Sequence, residues 1–201
     1  VATPDPDRFT AAVKAIDAAN ADDPNTIVVG GETRPKELAH AEMVTEWVGR
    51  LLPEPTEALL LAARAHHLRR WTVPRSSFPD GRAGYLKWRR HLHERHAEDV
   101  GWILSDIGFP HETIARVQDL VRKKGLAAGD PEAQALEDAL CLVFLETQFD
   151  ELAARLDEEK MVEVVAKTLK KMSEDGRNHA LAVELAGTGP QIVEAAVATL
   201  G

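Results

Sequence analysis

Apolar residues return every three or four positions along nearly the whole chain, and no stretch shows the convincing alternation of a half-exposed strand. Such stripes must be covered by other helices, so the pattern predicts helices packed on helices. Proline, glycine and capping residues divide it. One helix is expected from Asp7 to Asn20, a second from Pro35 to just before Pro53, and a third from the Thr56 cap to about Trp71. Thr72 to Gly81 reads as a loop, followed by a long helix from about Ala83 to Ile107 and a short one to Lys124. Asp130-Pro131 opens another long helix reaching about Leu156, and two or three more complete the chain. Ile27-Val28-Val29 is a short extended piece without an evident strand partner. The expectation is one all-α domain over residues 1–201, of about nine helices.

Composition narrows the class. A chain of 201 residues with 44% hydrophobic and 28% charged residues can bury a sizeable core. The net charge of −9 argues against wholesale nucleic-acid or membrane binding. A lone cysteine, Cys141, lies in an apolar helical run; it is expected in the core, and it forms no internal disulfide framework. No apolar run reaches the length of a membrane span and no signal segment is evident before the first helix, so a cytoplasmic protein is expected.

Against that acidic background, Arg64 to His96 carries nine lysines and arginines, only Asp80 and Glu94, and five of the eight histidines. A patch of one sign attracts anions, and histidine is the commonest metal-ligating side chain. Helical spacing shows which polar residues turn inward. His40 shares a stripe with Val44, Trp47 and Leu51, and His66 shares one with Leu59 and Ala62. His93 and His96 share one with Val100, Ile103 and Ile107, and Asp138 with Leu142, Leu145 and Phe149. Buried carboxylates and imidazoles need a partner or a cation. His40, His66 and Asp138 are therefore candidate ligands of one divalent transition metal: iron, manganese, zinc, cobalt or nickel. Imidazole-rich donors disfavour calcium and magnesium.

This order of residues resembles the HD-domain superfamily, whose all-α members bind metal through a His, an adjacent His-Asp pair and a distant Asp. The resemblance implies an HD-like fold and assigns those positions to His40, His66 and Asp138, with His96 matching the extra His of dinuclear members. Two departures point to one metal rather than two. His67 stands where the pair's Asp is expected, and Lys123 or Lys124 where a further His is expected. The strings AHAEMVTEWV, RAHHLRRWTVPRSSFPDGRAGYLKWR and LEDALCLVFLE also resemble a bacterial and fungal family of unassigned function. Some of its members carry a glutamyl-tRNA synthetase label. No strand–glycine–helix signal supports that label here.

The expected activity is hydrolysis of a nucleotide or another small phosphorylated anion. His67 and His96 are candidate further ligands or proton-transfer groups, and Arg69 and Arg70 would neutralise developing charge. Arg75, Ser76, Ser77, Arg82, Tyr85, Lys87, Trp88 and Arg89 are the candidate substrate contacts, because guanidinium forks and hydroxyls suit phosphate oxygens and aromatic rings suit a base. An HD-like iron oxygenase and a non-catalytic nucleotide- or RNA-binding module are the alternatives. Nucleic acid is the less favoured partner and no membrane partner is expected.

Overall fold

The computed structural model describes residues 5–200. Nine α-helices occur among them: α1 (Pro6–Ala21), α2 (Lys36–Leu51), α3 (Glu57–Ala65), α4 (Gly81–Ile107), α5 (His111–Val121), α6 (Pro131–Ala153), α7 (Glu158–Leu169), α8 (Glu174–Leu181) and α9 (Gly189–Ala198). The expected all-α class holds, and no described helix is long and apolar enough to cross a membrane. Side-chain caps set many of the helix starts. The Thr56 hydroxyl accepts from Leu59 N, and Asp130 Oδ1 accepts from Glu132 N and Ala133 N just ahead of Pro131. Gly108 closes α4 in the left-handed conformation, φ 88°, where a Cβ would be strained.

Two local expectations change. Ile27-Val28-Val29 does find a partner: β1 (Thr26–Val29) pairs antiparallel with β2 (Glu32–Pro35), Val29 opposite Glu32. Gly30 and Gly31, φ +60° and +84°, supply the two left-handed residues of the tight turn. The second strand escapes notice in sequence because Glu32-Thr33-Arg34-Pro35 has one β-branched residue and no apolar alternation. The third helix stops at Ala65 rather than near Trp71. His66 Nδ1–H donates to the Ala63 carbonyl at 2.8 Å, satisfying a terminal acceptor, and Arg69 takes φ 54°, which a right-handed helix cannot continue. Asn20 Oδ1 accepts from Arg69 N at 3.1 Å and holds this turn.

The core forms where α2 packs on α3 and α6, α3 on α5, and α4 on α5 and α1. Val44, Leu59, Val100, Leu120, Leu142 and Leu145 are fully buried there, each leucine contributing about 1.5–3 kcal/mol by leaving water. α7 packs on α9, and α8 is seated on α6. That seat is Asp138, expected from the sequence as a metal ligand. It is buried as expected, but Oδ1 accepts from Ser173 N and Gln134 Nε2, both at 2.9 Å, and Oδ2 from the Ser173 hydroxyl at 2.5 Å. The carboxylate presses so close to Gly176 that a Cβ there would lie 2.6–2.9 Å from its atoms. Asp138 joins two helices and its oxygens are already engaged. Asp138→Ala is expected to cost about 1.5–3 kcal/mol in urea unfolding, because a buried carboxylate acceptor is lost and its half-buried donors lose their partner. Metal content should not change.

Candidate metal centre

The first turn of α2 begins the site. Buried Asp23 accepts from Glu37 N at 3.0 Å and from Asn25 N and Nδ2, fixing the hairpin to the helix start. Glu37 thus sits at a helix N-terminus, where negative charge is favoured. One turn on, His40 projects from the same face. His67 enters from the turn after α3, so that Glu37, His40 and His67 offer ligand atoms that all lie within 4.8 Å of one another. Glu37 Oε2 lies 3.1 Å from His67 Nδ1 and 3.6 Å from His40 Nδ1, and Glu37 Oε1 lies 3.8 Å from Arg70 Nε. Burial works to raise the Glu37 pKa, but His67 beside it holds it well below the ordinary carboxylate value.

Hydrogen-bond logic orients the rings. The Thr147 hydroxyl donates its proton to the Val143 carbonyl at 2.6 Å, so it can only accept from His40 Nε2, 3.2 Å away. The His40 lone pair, in the neutral ring, then lies on Nδ1 and faces Glu37 at a distance too long for a hydrogen bond. Ligating histidines are commonly held in this way, by a protein acceptor behind the outer N–H. One carboxylate and two imidazoles are a donor set that suits a catalytic divalent ion. This buried group could hold a metal. His67 is less committed: Arg70 Nη1, a donor, lies 3.4 Å from its Nε2, so in the neutral ring the proton sits on Nδ1 and is donated to Glu37. Coordination through Nδ1 requires that proton to move and Arg70 to turn away.

His66 and His96 stand beside this group. Their ring centroids are 4.2 Å and 5.9 Å from that of His67. Each donates Nδ1–H to a carbonyl at 2.8 Å, Ala63 for His66 and Leu68 for His96, leaving the lone pair on Nε2. His96 Nε2 is buried with no hydrogen-bond partner among the described residues. Burial, foremost, pushes His66 down to about 4 and His96 to about 3, so both are neutral at physiological pH.

Two clefts share a wall of His67, Arg70 and Gln148. One, of about 580 Å³, opens over Glu37 and His40 and is bounded by Trp71, Pro74 and Trp88. The other, of about 370 Å³, opens past His66, Arg89, His93 and Lys123 toward an apolar floor from α5, α6 and α7. Arg70 lies over Trp88 at 4.7 Å, so the ring expected to stack a base supports a guanidinium instead. The two non-glycine left-handed residues among those described, Arg69 and Lys123, flank this region.

Several expected substrate contacts lie elsewhere. Arg75 donates to the Phe78, Pro79 and Gly81 carbonyls at 2.9, 2.8 and 3.4 Å, stapling its own loop and leaving little for a ligand. Ser76, Ser77, Arg82 and Lys87 are exposed and line neither cleft, and Arg69 points to solvent. Tyr85, Trp88 and Arg89 do line a cleft. The sequence reading passed over Glu37, although it falls three residues before His40 on the same stripe. It also missed Glu137, which sits beside Asp138, faces the second cleft and pairs with Lys123. Cys141 is buried as expected, and burial raises its thiol to about 12.

Protonation gives a stability test. Between pH 6.5 and about 4 the unfolded chain binds protons that folded His66 and His96 refuse, so stability falls as the pH drops through that window. Each histidine contributes about 1.4 kcal/mol per pH unit. Urea unfolding from pH 7 to 4 should show the loss, and His96→Gln should remove one histidine's share of the slope. An unchanged slope in that variant would mean that His96 titrates as an exposed imidazole.

Comparison with known proteins places the chain in a family but attaches no activity to it. Residues 10–193 match the family described as Domain of unknown function (DUF4202), and the chain belongs to that family. No curated protein and no solved structure matches it.

Proposed function

We propose that the protein is a metal-dependent phosphohydrolase acting on a small phosphorylated molecule, with Glu37, His40 and His67 holding one divalent transition metal. The observation that carries this reading is the buried carboxylate–imidazole group beside Arg70, which lines the larger cleft and reaches the second through His67. The order His40, then His66-His67 just after the next helix, keeps the resemblance to the HD-domain superfamily. The distant Asp of that pattern, Asp138, is engaged by Ser173 and Gln134, which favours a ligand set without it.

When bound, the metal would supply a polarised phosphoryl oxygen and a water acidic enough to attack near neutral pH. The remaining work falls to the chain. Arg70 is charged, mostly buried and 3.8 Å from Glu37, so it can exchange that carboxylate for a phosphoryl oxygen of the substrate. Thr147 holds the His40 ring with its lone pair toward Glu37. In the overall reaction the water oxygen bonds to phosphorus, the ester P–O bond breaks, and the leaving oxygen takes up a proton.

The same donors favour one second reading. Two histidines and a carboxylate with open positions are also the ligand set of non-haem iron oxygenases. Elemental analysis and visible spectroscopy separate the two: zinc or manganese with a colourless protein supports hydrolysis, and iron with an oxygen-responsive absorption supports oxygenation.

Wild-type protein should hold about one equivalent of metal, and His40→Ala and Glu37→Gln should hold little and hydrolyse phosphate esters at least about 100-fold more slowly. Thr147→Val should weaken metal binding by roughly 10- to 100-fold. If all three variants keep wild-type metal content and activity, the metal centre is elsewhere and the proposal fails.

A further inference from the structure

The smaller cleft has two kinds of lining. Leu92, Leu120, Leu136, Leu140, Phe144 and Val164 form an aliphatic and aromatic floor. Around them stand five cations, Arg70, Arg89, Lys123, Lys167 and Lys171, and one carboxylate, Glu137. Three of the five are already paired, Arg70 with Glu37, Lys123 with Glu137 and Lys167 with Glu163. Arg89 has no carboxylate partner among the described residues; its guanidinium lies 6.0 Å over the Tyr85 ring. Lys171 likewise has no carboxylate partner among the described residues, although its neighbourhood includes the cleft. These two cations come from different elements, α4 and the turn after α7, so the positive charge is not the product of one helix.

The volume, about 370 Å³, lies in the range of small-molecule sites. A polar ligand body needs hydrogen-bonding groups to orient it, and a nucleobase or sugar lacking them leaves its own donors unsatisfied when buried. Apart from the charged groups and histidines, the polar side chains of this lining are few, chiefly Tyr85, Gln148 and Thr168. An apolar body gains instead, at about 25 cal/mol per Å² removed from water.

We infer that this cleft binds a phosphate monoester whose body is apolar, with the phosphate among Arg70, Arg89 and Lys171 and the body on the Leu140–Phe144–Val164 floor, in preference to a nucleotide or a sugar phosphate. The inference names the substrate class of the proposed hydrolase and rests on that reading for turnover, but not for binding.

Calorimetric titration of chelator-treated full-length protein with 1-naphthyl phosphate, inorganic phosphate and adenosine monophosphate tests it. 1-Naphthyl phosphate should bind at least roughly tenfold more tightly than either other ligand. Arg89→Ala and Lys171→Ala should each weaken it several-fold. Leu140→Asn, at a half-buried position, should erase the preference over inorganic phosphate while far-ultraviolet circular dichroism stays unchanged. Equal affinities, tighter binding of adenosine monophosphate, or no binding of 1-naphthyl phosphate would overturn the inference. Tight binding of 1-naphthyl phosphate with no hydrolysis under any metal would sink the hydrolase reading alone, whereas metal-dependent turnover that favours adenosine monophosphate would sink this inference alone.

Discussion

A carboxylate buried at the start of a helix is costly unless something compensates it, and much of the candidate site is arranged around that one group. Glu37 is 5% exposed and is met by His67, His40 and Arg70. The helix N-terminus beneath it contributes positive potential, and Asp23 anchors that terminus to the hairpin. The hairpin, the first turn of α2 and the His66–Arg70 turn are therefore parts of one device. Each would be a minor feature alone; together they hold a buried carboxylate between two imidazoles and a guanidinium.

The fold was legible where it rests on repetition. Apolar spacing located most helices, and Asp130-Pro131, Thr56 and Gly108 marked ends that the structure reproduces. What escaped depended on single contacts. Nothing in the local sequence announces that His66 will cap Ala63, or that Asn20, far away in the chain, will hold Arg69 in a left-handed conformation. Those two contacts end α3 six residues early and turn His67 toward Glu37 instead of extending the stripe.

The site divides along the same line. Burial of His40, His66, His96 and Asp138 was readable from helical faces, because burial follows periodicity. Grouping was not. Asp138 and Glu137 differ by one position on α6 and so by about 100° around its axis, which sends one to Ser173 and the other to the cleft. Glu37 shares the His40 stripe, but only the turn after α3 brings His67 beside it. The basic segment also separates by role: Arg75 closes its own loop, Arg70 bridges two clefts, and Arg89 lines one of them. Lys171, which completes the cationic lining, lies outside that segment.

The central claim is where the metal sits. Anomalous diffraction from crystals of the protein loaded with zinc or iron would locate it directly. The account predicts one peak within about 2–2.3 Å of a Glu37 oxygen and His40 Nδ1, with His67 as the third protein ligand and Arg70 displaced from Glu37. A peak ligated by Asp138, or by His66 and His96 without Glu37, would contradict it.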